Sequence, residues 1–158
     1  MVVDVNGPRC NCGNIGCLEA FASGTAVARE AVRRISRGEK SRMTELVGDR
    51  LEDIDASMVG AAAKEGDVLA CDVIEKAADY LGIGLANLAN IFNPDLIIVG
   101  GGMSRLGDML LEPARRVVRE RAFQLPARSV SIIPSQLGDN AGVLGAAMYV
   151  FQSAGRSL

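Results

Sequence analysis

The apolar positions of this chain recur at spacings that predict helices over much of its first half. From Leu18 onward they follow three- and four-residue steps, which is typical of an amphipathic helix with Ser23 or Thr25 as its N-cap. Asp55 predicts the start of a shorter helix, and Asp67 the start of a longer one. The apolar positions of the longer helix are Val68, Val73, Ile74, Ala77, Leu81, Leu85, Leu88 and Ile91.

Short apolar runs appear in the second half of the chain. Leu96–Val99 is continuous and ends at three glycines, which predicts a buried strand. Residues 108–122 predict a helix, 130–133 a strand and 140–151 a final helix. Strands alternating with helices indicate an α/β fold, here expected as one domain over residues 1–158. The polar residues 38–53 are expected to be the most mobile stretch.

Two glycines interrupt the apolar pattern of the long helix. Gly82 and Gly84 each cost helix stability relative to alanine. Glycine also lacks a side chain that would hold a neighbouring element away. We therefore expect another element to approach the helix closely at this point.

Composition and charge narrow the classes of function. The chain is 49% hydrophobic and 23% charged, as in ordinary globular proteins, and its formal net charge is −2. Neither nucleic acid nor an anionic membrane is therefore expected as a partner. No apolar run approaches the roughly 18 residues needed to span a bilayer, and no secretory signal opens the sequence. A cytoplasmic location is expected.

Three of the four cysteines, Cys10, Cys12 and Cys17, lie within eight residues. Glycines between them allow a tight loop in which the three sulfurs face one point, the arrangement that tetrahedral zinc requires. The alternative is three reduced cysteines in a loop. The fourth, Cys71, lies in a helical pattern and is interpreted as a small core residue. The chain contains no histidine, so the commonest partner of cysteine at zinc is missing.

Three segments together resemble one known family. Residues 10–19 read CNCGNIGCLE, residues 93–102 read NPDLIIVGGG, and residues 137–147 read LGDNAGVLGAA. In this order they closely resemble the zinc-binding segment and two later segments of the ROK family (repressor, open reading frame, kinase). Among its members the chain looks most like the glucokinases.

The resemblance implies a fold, ligands and roles. It implies the carboxyl-terminal lobe of an actin-like (ribonuclease H-like) fold, with a mixed sheet flanked by helices and a zinc-binding loop. It also implies ATP, magnesium and a hexose such as glucose as ligands of the complete enzyme. Cys10, Cys12 and Cys17 would hold a structural zinc, and Glu19 would accept hydrogen bonds from sugar hydroxyls. The alternative for Glu19 is an acidic residue favoured by the helix dipole.

Gly100, Gly101 and Gly102 would bind nucleotide through their backbone N–H groups, because they follow the carboxyl end of a strand. The alternative is ordinary turn chemistry. By the same resemblance, Asn140 lies in the segment that closes the nucleotide cleft, although the helix after it could serve only close packing.

The sequence departs from the family in what precedes the cysteines. Nothing matches the phosphate loop or the aspartate that acts as general base, so no catalytic residue is assigned and the amino-terminal lobe is expected to be absent. The family's zinc-binding histidine would fall one residue before Met1. Water, Asp4 or a residue outside this sequence could complete the coordination.

Three functions remain open on this basis. The chain could be a sugar-kinase lobe that needs a complementary half, a zinc-stabilised sugar or nucleotide sensor, or an inert remnant. An exposed cleft surface should associate with another copy, so a homo-oligomer, expected to be a dimer, is the predicted assembly.

Overall fold

The computed structural model describes residues 1–48 and 50–155, which form eight α-helices and a small β-sheet. The helices are α1 (Glu19–Ala22), α2 (Gly24–Ile35), α3 (Met43–Val47), α4 (Ala56–Lys64), α5 (Val68–Phe92), α6 (Asp108–Arg121), α7 (Gln124–Ser129) and α8 (Ala141–Ala154). The strands are β1 (Leu96–Val99) and β2 (Ser131–Pro134), and short 3-10 helices occupy Leu51–Asp53, Gly102–Leu106 and Gly138–Asn140. Within the described residues no helix is both long and apolar enough to cross a membrane.

The long helix α5 organises the packing. Its first half packs against α2 and α4, where Val27, Val59 and Ile74 are almost fully buried. Its second half packs against α6 through a second apolar cluster that includes Leu85, Leu110 and Ile132. The helix ends at Asn93, whose backbone is left-handed (φ 45°), a conformation that asparagine tolerates at such positions.

The three predicted N-caps are confirmed. Ser23 Oγ accepts a hydrogen bond from the Ala26 N–H at 3.2 Å, and Asp55 does the same for Met58 at 2.8 Å. Asp67 caps α5 by accepting from the Ala70 N–H at 2.9 Å. Ser23 therefore takes the cap for which Thr25 was the alternative.

The glycines of α5 permit the close approach that their spacing predicts. A Cβ at Gly82 would lie 2.5 Å from the Cβ of Val117 and 2.7 Å from the Ala114 carbonyl oxygen. A Cβ at Gly84 would lie 2.7 Å from a methyl group of Leu18. Helix α6 thus crosses α5 at Gly82, and the segment leading into α1 packs against Gly84.

The sheet is smaller than predicted. In the described part of the chain β1 and β2 form a two-stranded parallel sheet, so the mixed arrangement is not seen. The prediction that Leu96–Val99 is buried is wrong for one face: Leu96 is 47% and Ile98 59% exposed. Ile97 and Val99 point the other way, onto the second apolar cluster, because successive strand residues face opposite sides.

Residues 38–48 and 50–53 contain more structure than their polarity indicates. Met43, at the start of α3, is fully buried in the first apolar cluster. Asp67 fixes the segment by accepting hydrogen bonds from the Ser41 hydroxyl and the Arg42 N–H. The mobility of this stretch remains a prediction.

Candidate metal and ligand sites

The loop that carries the three cysteines is shaped by its glycines. Gly13 and Gly16 have positive φ angles of 90° and 70°. A side chain on Gly16 would collide with the backbone of Asp4. The Cys10 N–H donates to the Asn14 carbonyl at 2.8 Å, and the Gly13 N–H donates to the Cys10 carbonyl at 3.0 Å. The chain therefore doubles back within a few residues, which brings both ends of the cysteine motif together.

The three thiols form one group, the thiol cluster (Cys10, Cys12 and Cys17). Their sulfur atoms all lie within 4.8 Å of one another, and those of Cys12 and Cys17 are 3.6 Å apart. Tetrahedral zinc with bonds of about 2.3 Å would hold thiolate sulfurs roughly 3.8 Å apart. Cys10 and Cys17 are buried while Cys12 is exposed. The donor set thus fits a zinc ion after only small movements.

The thiols differ in acidity. The hydrogen bond with Cys12, followed by burial, raises the pKa of Cys17 to about 11. A backbone hydrogen bond from Asn14, followed by a hydrogen bond with Cys10, lowers the pKa of Cys12. The exposed Cys12 is therefore the more acidic thiol of this pair.

The side chains of Asp4 and Cys71 lie outside the thiol cluster. The carboxylate of Asp4 accepts from the Asn6 N–H at 2.9 Å and from the Tyr80 hydroxyl at 3.2 Å, so Asp4 is held elsewhere. Cys71 points its thiol at the Ala63 carbonyl, 3.5 Å away, as expected of a cysteine packed between helices. Neither belongs to the metal-ligand group found among the described residues.

Glu19 stands next to the thiol cluster. It is the first residue of α1 and is exposed, and its Oε2 lies 3.9 Å from the sulfur of Cys10. Together with Cys10, Ser23, Thr25 and Arg29 it lines a small cavity. The structure therefore brings together the predicted sugar carboxylate and one predicted metal ligand.

A large groove of about 790 Å³ opens on the other side of the α2 N-terminus. Its walls are the start of α2, the helix α4 and the turn that contains Gly100, Gly101 and Gly102. All three glycines are exposed, and Gly101 has φ +86°. Lys64 and Arg105 supply positive charge to the lining. The groove has the size and chemistry of a small-molecule site.

Asn140 lies near the glycine turn but not in the groove lining. The Ser135 N–H donates to the Val99 carbonyl at 2.8 Å, so β1 and β2 end at the same edge of the sheet. The 3-10 helix Gly138–Asn140, which follows β2, packs against Gly102–Leu106, which follows β1. Asn140 is exposed there.

The sequence did not predict several residues that line the small cavity and the large groove. Ser23 and Thr25 were considered only as caps, yet both line the small cavity and the large groove. Ser104 is buried and donates its hydroxyl to the Gly101 carbonyl at 2.7 Å, which fixes the glycine turn. A hydroxyl residue soon after a glycine run was a usable signal. Lys64 carried none, since a lysine late in a helix is ordinary.

Comparison with known proteins gives one consistent family. A family model described as the ROK family matches residues 1–153. A glucokinase of Thermotoga maritima is 37% identical over 155 residues, covering 98% of this chain and 49% of the relative. A xylose repressor of Caldicellulosiruptor bescii is 39% identical over 136 residues, covering 86% of this chain and 34% of the relative.

A solved structure agrees with these relatives. A ROK family glucokinase from Streptomyces griseus, in complex with glucose and AMPPNP, superposes with a TM-score of 0.83 at 34% identity. The match covers 94% of this chain and 49% of that one. The chain thus spans at most about half the length of the relatives that it matches.

Proposed function

The chain belongs to the ROK family, and from this premise we propose that it forms the zinc-stabilised lobe of a glucokinase-like sugar kinase. In this proposal the lobe contributes part of the hexose site and part of the ATP site. The 158-residue polypeptide by itself does not transfer phosphate. Glucose is the favoured sugar, because glucokinases are among the matching relatives and the S. griseus structure contains glucose.

One observation carries the proposal: Ser23 and Thr25 line both the cavity that contains Glu19 and the groove that contains the glycine turn. A carboxylate that suits sugar hydroxyls and a backbone turn that suits phosphates therefore border one continuous surface around the α2 N-terminus. Phosphoryl transfer requires the acceptor hydroxyl and the phosphates to be adjacent. The adjacency of the two half-sites meets that need.

Glu19 fits the sugar role better than a purely structural one. Helix α1 has four residues, so little helix dipole exists for Glu19 to stabilise. Its carboxylate is exposed beside the cysteine loop, and a zinc ion held by Cys10, Cys12 and Cys17 would fix that loop. Because Asp4 is occupied by Asn6 and Tyr80, the fourth ligand is proposed to be water or a residue outside this sequence.

The nucleotide role rests on the turn after β1. Exposed backbone at Gly100, Gly101 and Gly102 can approach phosphates without a side chain in the way. Asn140 is proposed to border the same nucleotide from the neighbouring 3-10 helix. Magnesium would accompany ATP in the complete enzyme. In this proposal the glycine turn and Lys64 bind phosphate.

A second function, a non-catalytic regulator that senses a sugar or nucleotide, is favoured by one observation. The xylose repressor relative matches over 86% of this chain with slightly higher identity than the glucokinase. Both functions would use the same thiol cluster, Glu19 and glycine turn. Glucose-dependent ATP turnover after addition of an amino-terminal ROK kinase lobe would distinguish the kinase from the regulator.

The first experiment is a coupled ATP-to-ADP assay with glucose on the purified polypeptide, with its zinc content measured on the same sample. We expect near-stoichiometric zinc and no glucose-dependent turnover. Turnover of even about 1 s⁻¹, an ordinary enzymatic rate, would contradict the incomplete-lobe proposal. Zinc-free protein that is folded would contradict the metal assignment independently.

A further inference from the structure

A third cavity lies against α1 and includes neither Glu19 nor any residue of the thiol cluster in its lining. It measures about 430 Å³, within the range of small-molecule sites, and is enclosed by α1, α2 and α5. Pro8, in the loop before the cysteines, closes one side. Neither Glu19 nor the glycine turn lines this cavity, which borders the small cavity beside Glu19 by sharing Ala20 and Arg29 with it.

The cavity has an aromatic wall. Phe21 of α1 and Tyr80 of α5 stack with ring centroids 3.7 Å apart and planes inclined by 15°. The Tyr80 hydroxyl donates to the Asp4 carboxylate at 3.2 Å, which holds the ring in place. Ala26, Val27 and Ala77 supply further apolar lining. This wall suits a flat or apolar ligand body.

The rim of the cavity is positively charged. Arg29, Arg33 and Lys76 line it, and Glu30 is the one acidic side chain among its lining residues. Glu30 is already engaged: Arg33 makes two hydrogen bonds to it, of 2.6 and 2.7 Å, and Lys76 lies 3.6 Å away. Asp4, behind Tyr80, is the other nearby carboxylate, so positive charge still exceeds negative charge.

We propose that this cavity binds a small organic anion with an aromatic or other flat apolar body. The stacked rings would contact the body. Arg33 and Lys76 share the single carboxylate of Glu30, so the positive charge that Glu30 leaves unbalanced would attract the carboxylate, sulfonate or phosphate. A hexose carries neither an anionic group nor an aromatic body, so the cavity is assigned a ligand class different from the hexose.

We expect a ligand in this cavity to affect the neighbouring Glu19 through helix α1. Ala20 and Phe21 line the cavity and directly follow Glu19. Arg29 lines both this cavity and the small cavity beside Glu19, and it donates to the Ala20 carbonyl at 3.0 Å. A bound anion that draws on Arg29 would alter the backbone that positions Glu19.

The test uses naphthalene-2-sulfonate as the probe, titrated into the zinc-loaded polypeptide by calorimetry at low salt. We expect saturable binding with one site, and amide shifts at Ala20 and Phe21 in a parallel NMR titration. Uncharged naphthalene-2-sulfonamide should bind much more weakly. Lys76→Gln should weaken sulfonate binding roughly fivefold, since it removes one charge-assisted contact.

Lys40→Gln is the matched control, because the exposed Lys40 follows α2 outside the lining of this cavity and the change in charge is the same. It should alter sulfonate binding less than twofold. Equal binding of the uncharged probe, equal weakening by both lysine variants, or no saturable binding would each overturn the proposal. Because no phosphoryl transfer is measured, the result does not depend on the kinase proposal.

Discussion

At the scale of single residues, Cys12 differs from its two partners in the thiol cluster. It is exposed, while Cys10 and Cys17 are buried and contribute to the packing around Ala20. Substitution of Cys12 therefore removes a metal ligand with little loss of apolar packing. It isolates the metal contribution better than substitution of either buried cysteine.

Cys12→Ser should reduce bound zinc and the melting temperature together. Metal that binds only the folded chain stabilises it by mass action, and a loss of 1–2 kcal/mol would lower Tm by roughly 3–8 °C at this chain length. Metal analysis and thermal unfolding of the same samples check this. Cys71→Ser is the control, since Cys71 faces the Ala63 carbonyl and should leave the zinc content unchanged. Full zinc occupancy in Cys12→Ser would exclude the cluster as the site.

Asp67 joins two segments of the chain, the start of α5 and the residues before α3. It is 6% exposed, and its carboxylate accepts from the Ala70 N–H, the Arg42 N–H and the Ser41 hydroxyl. Burial alone would raise the pKa of this carboxyl, but the hydrogen bonds outweigh burial and lower it. The ionised form thus stabilises both the start of α5 and the segment before α3.

Asp67→Ala should cost about 2–3 kcal/mol of unfolding free energy, because it leaves buried donors unpaired. Asp55→Ala removes a single exposed cap bond and should cost only about 0.5–1 kcal/mol. Because the folded-state pKa of Asp67 is lowered, its contribution is present above the unfolded pKa of about 3.9 and is lost as pH falls through the folded pKa. Urea unfolding at pH 7 and below pH 4 checks both points. A fall with pH as steep in Asp67→Ala as in the parent would contradict the assignment.

At the scale of elements, the crossing of α5 and α6 depends on Gly82, which has no side chain to hold the helices apart. The methyl group of Gly82→Ala would meet the Val117 Cβ and the Ala114 carbonyl, neither of which can rotate away. The gain in helix propensity, about 1 kcal/mol, should be outweighed by separation of the helices. We therefore expect a net loss of about 1–3 kcal/mol in urea unfolding.

Gly145→Ala in α8 provides the comparison, because nothing lies within 4 Å of the position that its Cβ would take. It should leave stability unchanged or raise it by up to about 1 kcal/mol. Equal effects of the two substitutions would mean that the helix crossing tolerates a methyl group.

The elements that the sequence predicts well are those with local causes. Three helix starts are predicted correctly from their N-cap residues, Ser23, Asp55 and Asp67. Each cap accepts a hydrogen bond from the backbone N–H three residues later, so the signal is local. The exposed face of β1 and the short helix α7 were not predicted, since they depend on how many strands and helices surround them. Likewise the thiol cluster follows from spacing within one loop, whereas the cavity between α1, α2 and α5 arises from helices distant in sequence.

At the scale of the whole molecule, the exposed apolar surface includes the helix α8 and one face of β1. None of the described residues of α8 is buried. More than half of the surface is exposed for each of four large apolar residues, Val143, Met148, Tyr149 and Phe151. Leu96 and Ile98 expose the outer face of β1. Such surface on an isolated chain favours association.

The predicted assembly of the isolated polypeptide is a dimer that buries α8. Light scattering at tens of micromolar should give about twice the mass of 16.6 kDa. The double substitution Leu144→Lys with Met148→Lys should shift the mass towards the monomer without unfolding the chain, because neither side chain is buried within one chain. Leu46→Lys, on α3 and 70% exposed, is the control and should leave the dimer intact. A monomeric parent would contradict the predicted dimer. A dimer that the double substitution leaves intact would mean that α8 is not the contact.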